Sequence, residues 1–280
     1  MMRTSLRGLI AVCVLLIPFL SMTLVHGQAS KLIRVKGSNV MAGMCDAWGT
    51  EFNNKNPGIR VHVTGGGTAA GIEAVFERTA DLAMASRRLI EKELQLAAVS
   101  DAKPAEMAVA QTAVVIVTHP ANPVKELTLA QLKGILTGEI ASWNQVNGPR
   151  ESIFLITSAP ESGTSSFLRN TLFPEDYLSS DANVRNFFHD ILKEISLKKP
   201  PALGYAGLYD AMKAVQAGRV KLLALKRDEN SPAVLPTLET VKDRTYPLIM
   251  QLYFYWDKDR APEHLKQFVD FCKTKGTSVP

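Results

Sequence analysis

Cysteine is scarce: three residues in 280, at positions 13, 45 and 272, too few for a disulfide framework. Cys-x-x-Cys, His-Glu-x-x-His and zinc-finger spacings are all missing, so the sequence proposes no metal site. Long runs of one charge are absent, as is any basic stretch interleaved with aromatics, which argues against nucleic acid as a partner. No internal repeat or low-complexity segment breaks the chain. A Gly-x-Ser-x-Gly elbow is also lacking, and each histidine beyond the first thirty residues (62, 119, 189 and 264) has an ordinary surface or capping explanation. A hydrolase with Ser162 as nucleophile and His189 or His119 as base is therefore the disfavoured alternative, and the expectation is that the protein is not an enzyme.

What is present is an apolar composition of 46%, enough for one large or two ordinary domains with real cores. Residues 1–27 read as a secretory signal. Arg3 and Arg7 supply its positive start, an apolar stretch runs from Leu9 to about Leu24, and Val25-His26-Gly27 offers a small-residue cleavage site. A membrane anchor is the alternative, although Ser21 and Thr23 dilute the run. No cysteine stands at the cleavage point, so lipid attachment is not indicated. Loss of the two arginines lowers the net charge from +5 to +3. Cys45 and Cys272 stay in the mature chain, where an oxidising compartment would permit one bridge between an early and a late helix; two buried thiols are the other option.

Beyond residue 30, short apolar runs alternate with helical periodicity, the pattern of a mainly parallel sheet covered by helices. The first helix runs to about Asn54 and stops at Pro57-Gly58; others are expected at Ile72 to Arg78, Glu91 to Val99 and Leu129 to Leu136, the last with Thr128 as N-cap. Met107 to Thr118 reads as a strand long enough to pass between domains, and Tyr246 to Trp256 as a second such run. Val220 to Leu225 reads as a further strand, and Pro262 to Lys275 as an amphipathic closing helix.

Four strand ends carry hydroxyls or glycines where a helix or turn begins: Gly37-Ser38-Asn39, Gly65-Gly66-Gly67-Thr68, Ala85-Ser86-Arg87 and Ser162-Gly163-Thr164. Each, taken alone, is an ordinary cap. Along one rim of a parallel sheet, the four would present O–H donors, free N–H groups and helix dipoles to a negative charge.

These residues, in this order, resemble the periplasmic phosphate-binding proteins of ABC transporters, within the type II periplasmic binding protein superfamily. The resemblance spans nearly all of the mature chain and includes Ala80-Asp81, Leu132 to Trp143, Gly204-Tyr205-Ala206-Gly207 and Tyr246-Pro247-Leu248. It implies an α/β fold of two lobes, each a mainly parallel sheet flanked by helices, joined by two crossover strands. Residues 28–112 and 247–280 would form lobe 1 and residues 113–246 lobe 2. It further implies a monomeric, periplasmic protein without cofactor that takes phosphate into the interlobe cleft and delivers it to an ABC permease. The family's contacts carry over to Ser38, Asn39, Thr68, Ser86, Arg87, Ser162, Gly163 and Thr164.

The chain departs from the family pattern in two places. Its Arg-x-Asp-Gly before the Ser-Gly-Thr is replaced by Ser158 and Pro160, followed by Glu161, and its acceptor aspartate after the third turn's serine is replaced by Arg87. A carboxylate acceptor is what would repel a fully ionised anion such as sulfate, so another oxyanion or small acid, or a sensory role, stands beside phosphate.

Overall fold

The structure is a computed structural model that describes residues 31–160, 162–173, 179, 181–197 and 202–275. The expected signal and its cleavage site, Glu161, and much of the polar stretch 174–201 lie outside the described residues.

Lobe 1 begins with β1 (Lys31–Gly37), whose apolar Ile33 and Val35 alternate with exposed neighbours, and α1 (Asn39–Lys55). β2 (Ile59–Thr64), α2 (Thr68–Phe76), β3 (Leu82–Ala85) and α3 (Glu91–Val99) follow. β4 (Pro104–Thr118) then leaves the lobe. Lobe 2 holds β5 (Glu126–Thr128), α4 (Leu129–Thr137), β6 (Phe154–Ser158), α5 (Gly163–Leu172), β7 (Asn183–Arg185) and α6 (Phe188–Leu197). It continues with β8 (Ala202–Gly207), α7 (Leu208–Gln216), β9 (Lys221–Leu222), β10 (Ala224–Lys226) and α8 (Leu238–Lys242). β11 (Ile249–Asp257) returns the chain to lobe 1, where α9 (Glu263–Lys275) closes it.

One curled sheet runs β2-β1-β3-β11-β4-β8-β6-β7, with β9 beside the end of β4. Pairing is parallel within β2-β1-β3 and within β8-β6-β7. The crossover region is antiparallel. β4 residues Pro104 to Ala113 pair with β11, whereas Val114 to Thr118 pair with β8. Two side-chain clips hold this passage: Gln111 Nε2 donates to Gln251 Oε1 at 3.1 Å, and buried Tyr246 donates to the Val114 carbonyl at 3.2 Å. Long apolar strands buried on both faces are what a crossover needs, since each leaves one core only to enter the next.

Three local expectations are corrected. α2 starts at Thr68, four residues before Ile72, because Gly67 at φ +95° turns the chain and only small residues, Thr68 to Gly71, fill the first turn. The run 220–225 is two strands. Leu223 N–H still donates to the Ile116 carbonyl of β4, whereas Ala224 N–H donates to the Lys125 carbonyl, so β9 pairs with β4 while β10 pairs with β5. β4 starts at Pro104 rather than beyond a polar turn, because a strand's first residue needs no ladder N–H.

The two cysteines do lie on α1 and α9, which pack through Phe52 and Phe268 with ring centres 5.3 Å apart. They are free, buried thiols, and burial pushes both well above the usual thiol range. Trp48 and Trp143 are fully buried core residues.

Candidate functional site

The carboxyl ends of β1 and β3 meet the start of α2 in one hydrogen-bonded rim. Ser38 N–H donates to the Met84 carbonyl at 2.8 Å, Gly67 N–H to the Gly37 carbonyl at 2.9 Å, and Ser86 N–H to Thr68 Oγ1 at 3.1 Å. Gly37 makes this possible: at φ +145° it lies directly on the Met84 backbone, where a side chain would collide with the carbonyl. The Thr68 and Ser86 hydroxyls lie 3.1 Å apart. Ser38, Thr68 and Ser86 are all buried, and Ser38, at the N-cap of α1, does not spend its hydroxyl on a cap bond.

Lobe 2 offers the first turn of α5. Ser162 caps it, its Oγ accepting from Ser165 N–H at 3.1 Å. Beneath lies a buried hydroxyl cluster. Ser158 Oγ is 2.9 Å from Ser162 Oγ and 3.1 Å from Ser165 Oγ. Ser158 N–H donates to Tyr205 Oη at 3.1 Å, and Ser165 Oγ is 2.7 Å from the same phenol oxygen. Burial raises the Tyr205 phenol's pKa, with the serine hydrogen bonds acting the other way, so it stays a neutral donor and acceptor. Ser158, which stands where the family carries a cation, thus supports the turn through neutral hydroxyls.

The two lobes meet at Gly163. A Cβ there would lie 3.1 Å from Thr68 Oγ1 and would overlap Ser86 Oγ, so residues 163 and 86 touch only because position 163 has no side chain. Thr164, the next residue of α5, is buried. Asn39 bridges the same seam: its Nδ2 donates to the Asn186 carbonyl of lobe 2 at 3.0 Å, and its Oδ1 accepts from Gly66 N–H at 2.9 Å. Gly163, Ser86 and Thr68 therefore meet at one junction, with Ser38 on the same rim as Ser86, Ser162 and Thr164 flanking Gly163 in sequence, and Asn39 engaged as a latch between α1 and Asn186.

Arg87 follows Ser86 but is committed to α3. Its Nη1 and Nη2 donate to Glu93 Oε2 and Oε1 at 2.8 and 2.7 Å, and Nη1 also donates to the Arg88 carbonyl at 3.0 Å. Glu93 is buried and also caps α3 by accepting from Ile90 N–H at 2.9 Å. The cation that the sequence leaves unmatched is thus paired by a carboxylate six residues on, with its Nε edge outside those bonds. Among the described residues, no three His, Cys, Asp or Glu side chains stand close enough to hold a metal ion.

Ser165, Tyr205, Asn186 and Glu93 are the members that sequence reasoning passed over as site components, and Ser158 was marked only as a departure from the family pattern. Ser165, three residues after the N-cap serine, and Tyr205, inside the segment Gly204-Tyr205-Ala206-Gly207, carried a local signal; Asn186 and Glu93 carried none.

A model of the PBP superfamily domain matches residues 24–274. Protein SphX of Synechocystis sp. is 28% identical over 276 residues, covering 95% of this chain and 80% of that protein. The phosphate-binding protein PstS of Borreliella burgdorferi is 25% identical, covering 92% and 91%. Among solved structures, an ABC-type phosphate transport receptor from Vibrio cholerae aligns with a TM-score of 0.64 at 28% identity, covering 86% of this chain and 93% of the other. A phosphate ABC transporter substrate-binding protein from Clostridium perfringens, solved with bound phosphate, gives a TM-score of 0.74 at 23% identity, a likeness of fold.

Proposed function

The chain belongs to the PBP superfamily, and from that premise we propose that it is an extracytoplasmic solute-binding protein that captures phosphate between its lobes and delivers it to an ABC permease. The observation that carries this reading is the meeting of Gly163 with Ser86 and Thr68, which brings two buried hydroxyls of lobe 1 to the N-terminus of α5. A desolvated oxyanion needs several convergent donors of fixed geometry, and hydroxyls with backbone N–H groups meet that need without adding charge. The helix starts of α1 and α2 face the same rim and add favourable dipoles.

Ser38, Asn39, Thr68 and Ser86 act from lobe 1, Ser162, Gly163 and Thr164 from lobe 2, and Arg87 through the edge that Glu93 does not occupy. Lobe 1 comprises residues 28–112 and 247–280, lobe 2 residues 113–246, and closure turns on the crossovers near Ala113 and Leu248. Residues 1–27 direct export and are removed; the mature protein works as a periplasmic monomer, without catalysis or cofactor.

One observation favours a second oxyanion as an alternative cargo. Arg87 occupies the place of the family's acceptor carboxylate, and hydroxyls, which both donate and accept, discriminate weakly between protonated and fully ionised anions. The test is calorimetric titration of the mature protein, stripped of anion by unfolding and refolding, with phosphate, arsenate, sulfate and molybdate. Binding of phosphate and arsenate alone supports the proposal; binding of sulfate or molybdate instead assigns the second cargo; no binding refutes both.

A further inference from the structure

α1 of lobe 1 rests on the start of α7 of lobe 2, and the contact is made by small residues. A Cβ added to Gly43 would lie 2.9 Å from Asp210 Oδ1 and from Tyr209 Cδ1 and Cε1, and one added to Gly207 would lie 2.7 Å from Val40 Cγ2. One side of the Asp210 carboxylate therefore meets the opposite lobe, while the residue as a whole is half-buried and also borders a groove. Among the described residues no hydrogen bond or ion pair reaches it. Its charged neighbours come from lobe 2 alone: His189 and Lys193 on α6, Lys213 one turn along α7, and Arg219 beyond it, all bordering one open groove. None of them forms a bond to it: His189 Nε2 is 3.1 Å from Asp190 Oδ1, and Lys213 Nζ sits 4.2 Å over the Tyr209 ring. From α1 the group in contact is Gly43, which carries no charge.

We propose that Asp210 couples closure of the two lobes to proton uptake, so that the closed, anion-holding state is favoured as pH falls. Seating α1 on α7 removes water from the side of the carboxylate that meets Gly43, and no hydrogen bond replaces it there, which costs free energy while the group is charged and little once it is neutral; the neighbouring cations offset part of that cost. Burial pushes the Asp210 carboxyl up from 3.8 to about 6, with Lys213 and His189 acting in the opposite direction. When α1 withdraws, the group regains water and its ordinary value. A group with the higher pKa in the closed state takes up a proton on closing, so closure gains as pH falls through about 6 and is opposed above it.

This inference rests on the binding reading above, and the experiment separates the two. Phosphate affinity is measured by calorimetry at pH 8 and pH 5 for the wild type and Asp210→Asn, which keeps the shape and removes the charge. Phosphate's own ionisation affects both proteins alike and cancels in the ratio of their affinities. The advantage of Asp210→Asn over wild type is expected to be about tenfold larger at pH 8 than at pH 5; a ratio that does not change with pH overturns the proposal. Small-angle scattering without phosphate gives the second arm. Wild type is expected to be more compact at pH 5 than at pH 8 and Asp210→Asn equally compact at both, whereas an identical pH response in the two overturns the proposal. If phosphate binds neither protein, the phosphate reading fails and scattering alone decides. Should Asp210→Asn not fold, Gly43→Ala, which wedges α1 off α7, is expected to abolish the wild-type pH response; a retained response overturns the proposal.

Discussion

Gly163, the first residue of α5, touches Ser86 of the opposite lobe with no room for a methyl group between them. Gly163→Ala is therefore expected to leave the fold intact, since alanine suits a first helical turn and the glycine's φ is not left-handed. Its added Cβ would hold the lobes apart. Phosphate affinity measured by titration should fall at least tenfold with the melting temperature unchanged or slightly raised; unchanged affinity would show that closure does not pass through this contact.

Tyr205 ties the hydroxyl cluster together by receiving the Ser158 N–H and pairing with Ser165 Oγ. Tyr205→Phe leaves buried donors at both serines without their partner, at a cost of about 1–3 kcal/mol. Thermal or urea unfolding measures this directly. A cost near zero would mean that the serines satisfy one another, which the 3.1 Å separation of Ser158 and Ser165 permits in part.

Arg87 and Glu93 pose a question of role. Arg87→Ala should weaken anion binding at least tenfold, as expected for loss of a charge-assisted contact worth roughly 1.5–3 kcal/mol, and should also destabilise the protein by leaving Glu93 buried without its cation. Adding Glu93→Gln should recover stability but not affinity. Recovery of both would identify the pair as structural and remove Arg87 from the anion site.

Asp81 supplies a pH-dependent element of lobe 1. Burial works to raise its pKa, but three bonds from Arg34 outweigh it: Nε to Oδ2 at 3.1 Å, Nη2 to Oδ1 at 2.8 Å and the backbone N–H to Oδ2 at 2.7 Å. They hold it below the usual 3.8. A depressed carboxyl contributes stability that is present above its unfolded value and lost as pH falls through its folded one. Melting temperatures followed from pH 6 downward should therefore drop more steeply below about pH 4 in the wild type than in Asp81→Asn. Parallel curves would show that solvent screens the pair, half of which is exposed on the Arg34 side.

Helix starts and strand runs were legible because their causes are local. Thr128 with Gln131 forms a reciprocal cap visible in four residues, and the periodicity of Glu91 to Val99 and of the closing helix needs nothing beyond its own segment. Strand ends followed by hydroxyls and glycine located the turns at 38, 68, 86 and 162. The division of 220–225 into β9 and β10 escaped this reasoning because two different partner strands compete for adjacent residues, and a partner is not a property of the segment.

Amino-acid order alone determined most of the helices, the four hydroxyl-bearing turns and the two apolar runs long enough to cross between lobes, since each depends on neighbours within a turn or two. Tertiary structure decided which groups meet. It set Gly163 against Ser86, joined Ser158 to Tyr205 across 47 residues and laid Gly43 over Asp210. It also left Cys45 and Cys272 as free thiols and turned Arg87 onto a carboxylate. Contacts of that kind are chosen by how sheets and helices stack, and a buried polar group takes whichever partner the stacking brings within hydrogen-bond reach.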